Sequence, residues 1–237
     1  MPAPEIVVEQ GDGVGITSGD IMAFGGAMPN DGTNLTFTIR NTGVTNLTGL
    51  GITIDGPDAG MFSLVTGPVA PVKPASNTTF SVSFSPTSRG VKTAVLHIAN
   101  DDPSENPFDI NLTGRGLSVL EAWRGQHFGV FDDVGDASNT ADPDVDGAAN
   151  LIEFGFGRHP LECDAGQLPR CAFDGTELGI TFTEPTGVDG IIYGAEYSTN
   201  LKDWLPVSDA GVGEEHIFSI SVGSHPTMFL RLKVTEE

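Results

Sequence analysis

Residues Asp142 to Glu153 read DPDVDGAANLIE, and their spacing is that of a calcium-binding loop. Calcium is a hard cation that takes roughly six to eight oxygen ligands at about 2.3–2.6 Å. The alternate residues Asp142, Asp144 and Asp146 can turn three carboxylates toward one point, and Gly147 supplies the sharp turn that follows. The next positions offer the backbone carbonyl of Ala148, Asn150 through a water, and Glu153 with both of its oxygens. Without an ion, carboxylates at this spacing would repel one another, so a merely solvated acidic surface is the poorer reading. The predicted ligands are therefore Asp142, Asp144, Asp146, Ala148, Asn150 and Glu153, and the predicted ion is Ca2+.

Other reactive side chains form weaker patterns. Asp132, Asp133, Asp136 and Asn139 precede the loop irregularly and read as a solvated turn before they read as a second site. Cys163 and Cys171 flank a short segment containing Pro169, and in an oxidising compartment that spacing predicts a local disulfide. The histidines at 97, 127, 159, 216 and 225 show no ligand spacing, and His97 reads as plain surface. No nucleophile elbow or phosphate loop is present, and the run Gly11-Asp12-Gly13-Val14-Gly15 reads as a turn. The aspartates could supply a glycosidase pair, but calcium ligation uses them better, so the expectation is that the chain is not an enzyme. Sequons at Asn34, Asn46, Asn77 and Asn111 read as ordinary strand-end residues rather than glycosylation sites. Trp204 reads as a core or lid residue rather than a sugar-stacking platform.

Composition restricts the partners. Eleven Lys and Arg against 32 Asp and Glu give a formal charge of −21, which phosphate backbones and anionic lipid repel. Nucleic-acid binding is excluded on that ground. Membrane insertion is not expected, because no apolar run approaches the roughly 18 residues of a spanning helix. The first residues lack the basic and apolar regions of a secretory leader. The acidic, lysine-poor balance nonetheless suits an extracellular or cell-surface protein.

The elements that position the loop are mostly strands. Leu35, Phe37 and Ile39, then Phe80, Val82 and Phe84, then Ala94, Leu96 and Ile98, then Phe108, Ile110 and Leu112 each alternate with polar residues. Weaker strands are expected at 6–8, 21–24, 50–54 and 62–65, separated by turns such as Asn41-Thr42-Gly43 and Asn100-Asp101-Asp102-Pro103. The period then changes: Leu117, Leu120, Trp123 and His127-Phe128 predict one short amphipathic helix. Strands return over 178–182, 191–198, 216–222 and 228–234. The expected fold class is mainly β. An N-terminal immunoglobulin-like β-sandwich (1–116) is followed by a short helix and EF-hand-like calcium-loop linker (117–172) and a small antiparallel β-domain (173–237).

The runs LTFTIRNTG (35–43), TFSVSFSPTSRG (79–90) and IANDDPSENPFDINLTG (98–114) resemble the choice-of-anchor D family of Ig-like modules in large bacterial surface proteins. That resemblance implies a spacer or presentation domain without catalytic residues. The stretch from Trp123 to Pro160 is similar to the calcium segment near the C-termini of secreted bacterial proteins, and to single dockerin or thrombospondin type 3 loops. Dockerins carry two loops, whereas this chain has one, and its exit helix is broken by Gly155, Gly157 and Pro160. A structural clip is thus expected rather than a paired sensor. The functional expectation is an extracellular, calcium-stabilised building block of a surface layer, fibre or adhesin. Its partners would be copies of itself or neighbouring surface proteins, with Glu5 to Glu9 a candidate for strand addition. The alternative is a glycan- or protein-binding accessory module.

Overall fold

The computed structural model describes residues 2–11 and 13–237, so Met1 and Asp12 of the expected 11–15 turn lie outside the described residues. The chain divides into two compact units, Met1–Ser118 and Val119–Glu237. The calcium-loop segment and the C-terminal strands fall in the same unit.

In the first unit, β1 (Ile6–Gln10), β2 (Val14–Ile16), β4 (Thr33–Asn41), β6 (Phe62–Thr66) and β7 (Asn77–Phe84) form one sheet in the order β2-β1-β4-β7-β6. A second sheet joins β3 (Ile21–Ala27), β5 (Gly51–Asp55), β8 (Gly90–Ala99) and β9 (Phe108–Gly116) in the order β3-β9-β8-β5. All pairs are antiparallel except β3 with β9, which run parallel. Alternation puts one face of each strand inside: Phe37, Ile39, Phe80, Val82 and Phe84 from the first sheet, and Leu96, Ile98, Phe108, Ile110 and Leu112 from the second. Phe37 stacks on Phe80 with ring centroids 4.9 Å apart, a cross-strand pair set by the β4–β7 register.

Two of the turns read from the sequence prove to be buried hydrogen-bond hubs. Asn41 is fully buried, yet its amide donates to the carbonyls of Thr45 and Val72 at 2.7 and 2.9 Å. Its Oδ1 accepts from the backbone N–H groups of Glu5 and Gly43. Asp102 accepts from the N–H of Ile6 at 3.0 Å and from Ser104. Together they fasten the start of β1, whose Ile6 and Val8 lie in the core.

In the second unit, α1 (Val119–Phe128) and α2 (Asn150–Gly155) precede β10 (Ala172–Phe173), β11 (Glu177–Thr183), β12 (Ile191–Ser198), β13 (Leu205–Val207), β14 (Glu215–Ser221) and β15 (Phe229–Glu236). Four strands in a small antiparallel sheet or half-sandwich were expected here; the structure has six strands in two sheets of three, β10-β11-β14 and β13-β12-β15. The extra members β10 and β13 are too short for periodicity to reveal. Phe156, Phe182, Tyr193 and His216 pack ring against ring between α2 and these strands. The Tyr193 hydroxyl donates to the carbonyl of Gly155. Gly155 itself is pressed so close that a Cβ there would lie 3.1 Å from Val234.

The expected disulfide is not formed: Cys163 and Cys171 are both free and exposed. The Cys163 thiol turns toward the carbonyl of Asp144, 3.4 Å away, while Cys171 leads into β10, so the two sulfurs serve different neighbours.

Asn41→Ala should destabilise the first unit by about 1–3 kcal/mol in denaturant titration, because it strands several buried backbone groups. His216 has its ring nitrogens 2.5 Å from Asp209 and 2.9 Å from Glu184. Burial alone would lower its pKa, but the two carboxylates outweigh burial and hold it above the ordinary 6.5. The resulting stabilisation is complete below pH 6.5 and is lost as pH rises through the raised value. His216→Gln should therefore lower the melting temperature at pH 6 and narrow its gap to wild type by pH 9.

Candidate metal centre

The loop is held at both ends before any ion is considered. Arg124 on α1 is only 4% exposed, and its guanidinium donates to Asn139 Oδ1 at 2.6 Å and to the carbonyl of Phe131. Asn139 in turn donates its backbone N–H to Asp133 at 2.6 Å, so these two residues are engaged in bracing the approach. Where the chain enters α2, the side-chain amide of Asn150 donates to the carbonyls of Asp136 and Ser138 at 2.7 and 2.8 Å. Its backbone N–H reaches the carbonyl of Ala141 at 2.9 Å. Entry and exit thus lie side by side, and Glu153 on the first turn of α2 comes back over the loop.

Inside the loop, short polar contacts fix the carboxylates. Asp142 accepts from the N–H groups of Asp146 and Gly147, and Asp146 accepts from Ala148 at 2.9 Å and from Ala165 at 2.5 Å. Gly147 has φ +98°, which only glycine adopts without strain. Val145 has φ +60° although it is β-branched and 83% exposed, a costly backbone for that residue.

The structure brings oxygens of Asp142, Asp144 and Asp146 within 4.8 Å of one another, and likewise oxygens of Asp146, Glu153 and Asp164. Glu153 is wholly buried, and neither of its oxygens meets a hydrogen-bond donor among the described residues. The same holds for Asp144 Oδ2, Asp164 Oδ1 and Asn150 Oδ1, which are buried acceptors without donors. Burial, reinforced by the charges of Asp144, Asp146, Asp164 and Asp142, pushes the Glu153 carboxyl up to about 8. Loss of solvent, then the neighbouring Asp142 and Asp146, raises Asp144 as well. Asp146 moves the other way, because the N–H groups of Ala148 and Ala165 stabilise its charge.

A set of converging oxygen acceptors short of donors fits a hard divalent cation: the ion would supply the positive charge that the surrounding donors do not. The donor set is all oxygen, with Ala148 buried at the carbonyl position, which favours calcium or magnesium chemistry over zinc. Asp164 is the residue that motif reading missed. It lies beyond the Asp142–Glu153 pattern, and its only sequence signal is an aspartate just after the Gly155–Pro160 break that turns the chain back.

The remaining polar residues do other work. His97 bridges Asp109 at 2.7 Å and Asp55 at 3.3 Å on the sheet surface. The His127 and His159 rings meet edge to face at 4.6 Å. The guanidinium of Arg231 lies 3.8 Å over the Trp204 ring and is itself paired with Glu196.

Comparison with known proteins bears on the first unit. A family model, Cep192 domain 4, matches residues 17–117. That match and the two facing sheets make the first unit an immunoglobulin-like β domain. No curated protein matches the chain. Among solved structures, a protein of unknown function from Porphyromonas gingivalis is 20% identical with a TM-score of 0.37, over 48% of this chain and 49% of that one. This chain therefore spans about half the length of that protein. The PapD-like domain 7 of human CEP192 is 12% identical with a TM-score of 0.36, over 50% of this chain and 89% of that domain. The CARDB domain of the PF1109 protein of Pyrococcus furiosus, solved with di-metal ions, is 14% identical with a TM-score of 0.31, over 49% and 96%.

Two variants test the centre. In chelator at pH 8, Glu153→Gln should melt above wild type, since it removes a buried charge; in millimolar calcium the order should reverse. Val145→Asn should stabilise the protein by about 1 kcal/mol with or without calcium, because asparagine accepts the left-handed backbone.

Proposed function

We propose that this chain is an extracellular, calcium-stabilised structural module, a building block of a surface layer, fibre or adhesin. The observation that carries the reading is Glu153: a fully buried carboxylate without a donor, facing Asp146 and Asp164 across the loop. Calcium at millimolar concentration over a site of about 10⁻⁴ to 10⁻³ M would add about 1–2 kcal/mol to the native state. The choice-of-anchor D resemblance and the Ig-like first unit support a presentation role. No helix among the described residues is long and apolar enough to cross a membrane.

Contacts between subunits would run through sheet edges. β1 is a poor donor for a neighbouring molecule, because it is already paired with β2 on one side and β4 on the other. The strands at sheet ends in the first unit are β2, β6, β3 and β5. The accessory-module alternative has less support: Arg231 covers a face of Trp204 that a sugar ring would need.

Electron microscopy with light scattering, in millimolar calcium and in chelator, tests the reading. Filaments or regular particles are expected in calcium. Dispersed monomers in both conditions would overturn assembly and favour the accessory module.

A further inference from the structure

We infer that Asp164, outside the motif, is a ligand of the same cation, and that ion binding fastens the segment 160–168 to the loop. This rests on the cation reading above and extends it to a part of the chain that no loop pattern includes. Four observations carry it. The Asp164 carboxylate shares a cluster with Asp146 and Glu153, their oxygens within 4.8 Å of one another. Its Oδ1 is buried without a donor among the described residues, as are both oxygens of Glu153. On either side of Asp164, the Cys163 thiol lies 3.4 Å from the Asp144 carbonyl and the Ala165 N–H donates to Asp146 at 2.5 Å.

These contacts already lay the segment along the loop, so adding Asp164 to the shell requires no large movement. In the absence of an ion the same placement is self-opposing, because it crowds three carboxyl groups, Asp146, Glu153 and Asp164, within 4.8 Å of one another. The cation converts that repulsion into attraction. An additional carboxylate also strengthens a calcium site, whose affinity rises with ligand charge. The Asp142–Glu153 loop alone would be the weaker binder.

Calorimetric calcium titration and hydrogen exchange on the full chain, wild type against Asp164→Asn, separate the outcomes. Wild type should bind calcium, and exchange should slow both in 142–153 and in 160–168. Asp164→Asn should bind at least tenfold more weakly, melt in chelator at or above the wild-type temperature, and lose calcium protection in 160–168 while retaining it at saturating calcium in 142–153. Unchanged affinity in Asp164→Asn, or no calcium protection of 160–168 in wild type, would overturn the inference and leave the loop site standing. No calcium binding by wild type would overturn both. A chelator melt well below wild type would mark Asp164 as a structural residue and also overturn the ligand assignment.

Discussion

The second unit is organised around a buried carboxyl that its own donors do not satisfy. Glu153 is buried on α2, its oxygens meet no donor among the described residues, and the charges that act on it are those of Asp144, Asp146, Asp164 and Asp142. Burying such a group costs several kcal/mol unless it is protonated or paired. The structure accepts that cost by enforcement from outside the loop. Asn150 clamps the start of α2 to the backbone of Asp136 and Ser138, and the Tyr193 hydroxyl clamps its end through Gly155. Arg124 braces the approach from α1. A helix as short as Asn150–Gly155 has little stability of its own, so these tethers and the packed rings of Phe156, Phe182 and Tyr193 decide its position.

The first unit achieves order by the opposite means. Its buried Asn41 and Asp102 each satisfy several backbone or side-chain partners. Its core is an uninterrupted set of apolar side chains from two facing sheets.

Strands such as Phe80–Phe84 and Phe108–Leu112 were readable because one face is buried and the other wet, which leaves a period of two in the sequence. The convergence of Asp142, Asp144 and Asp146 was readable because alternate residues of one continuous segment carry it. The approach of Asp164 to Asp146 and Glu153 was not, since it depends on how far the chain turns back after Pro160, a tertiary fact with no local period. Arg124 was hidden for a similar reason, because a cation on an amphipathic helix reads as surface until its partner Asn139 is known. The cysteines misled in a different way: close spacing made a bond plausible, but direction decides, and Cys163 faces the loop.

The separate cores have an experimental consequence. The apolar cluster of the first unit lies wholly within Met1–Ser118, whereas every acidic residue of the cation centre lies within Val119–Glu237. The proposed ion would therefore draw its carboxylate ligands from one unit alone, and Glu153→Gln or Asp164→Asn would alter that unit's own residues while leaving every side chain of the Met1–Ser118 core as it is.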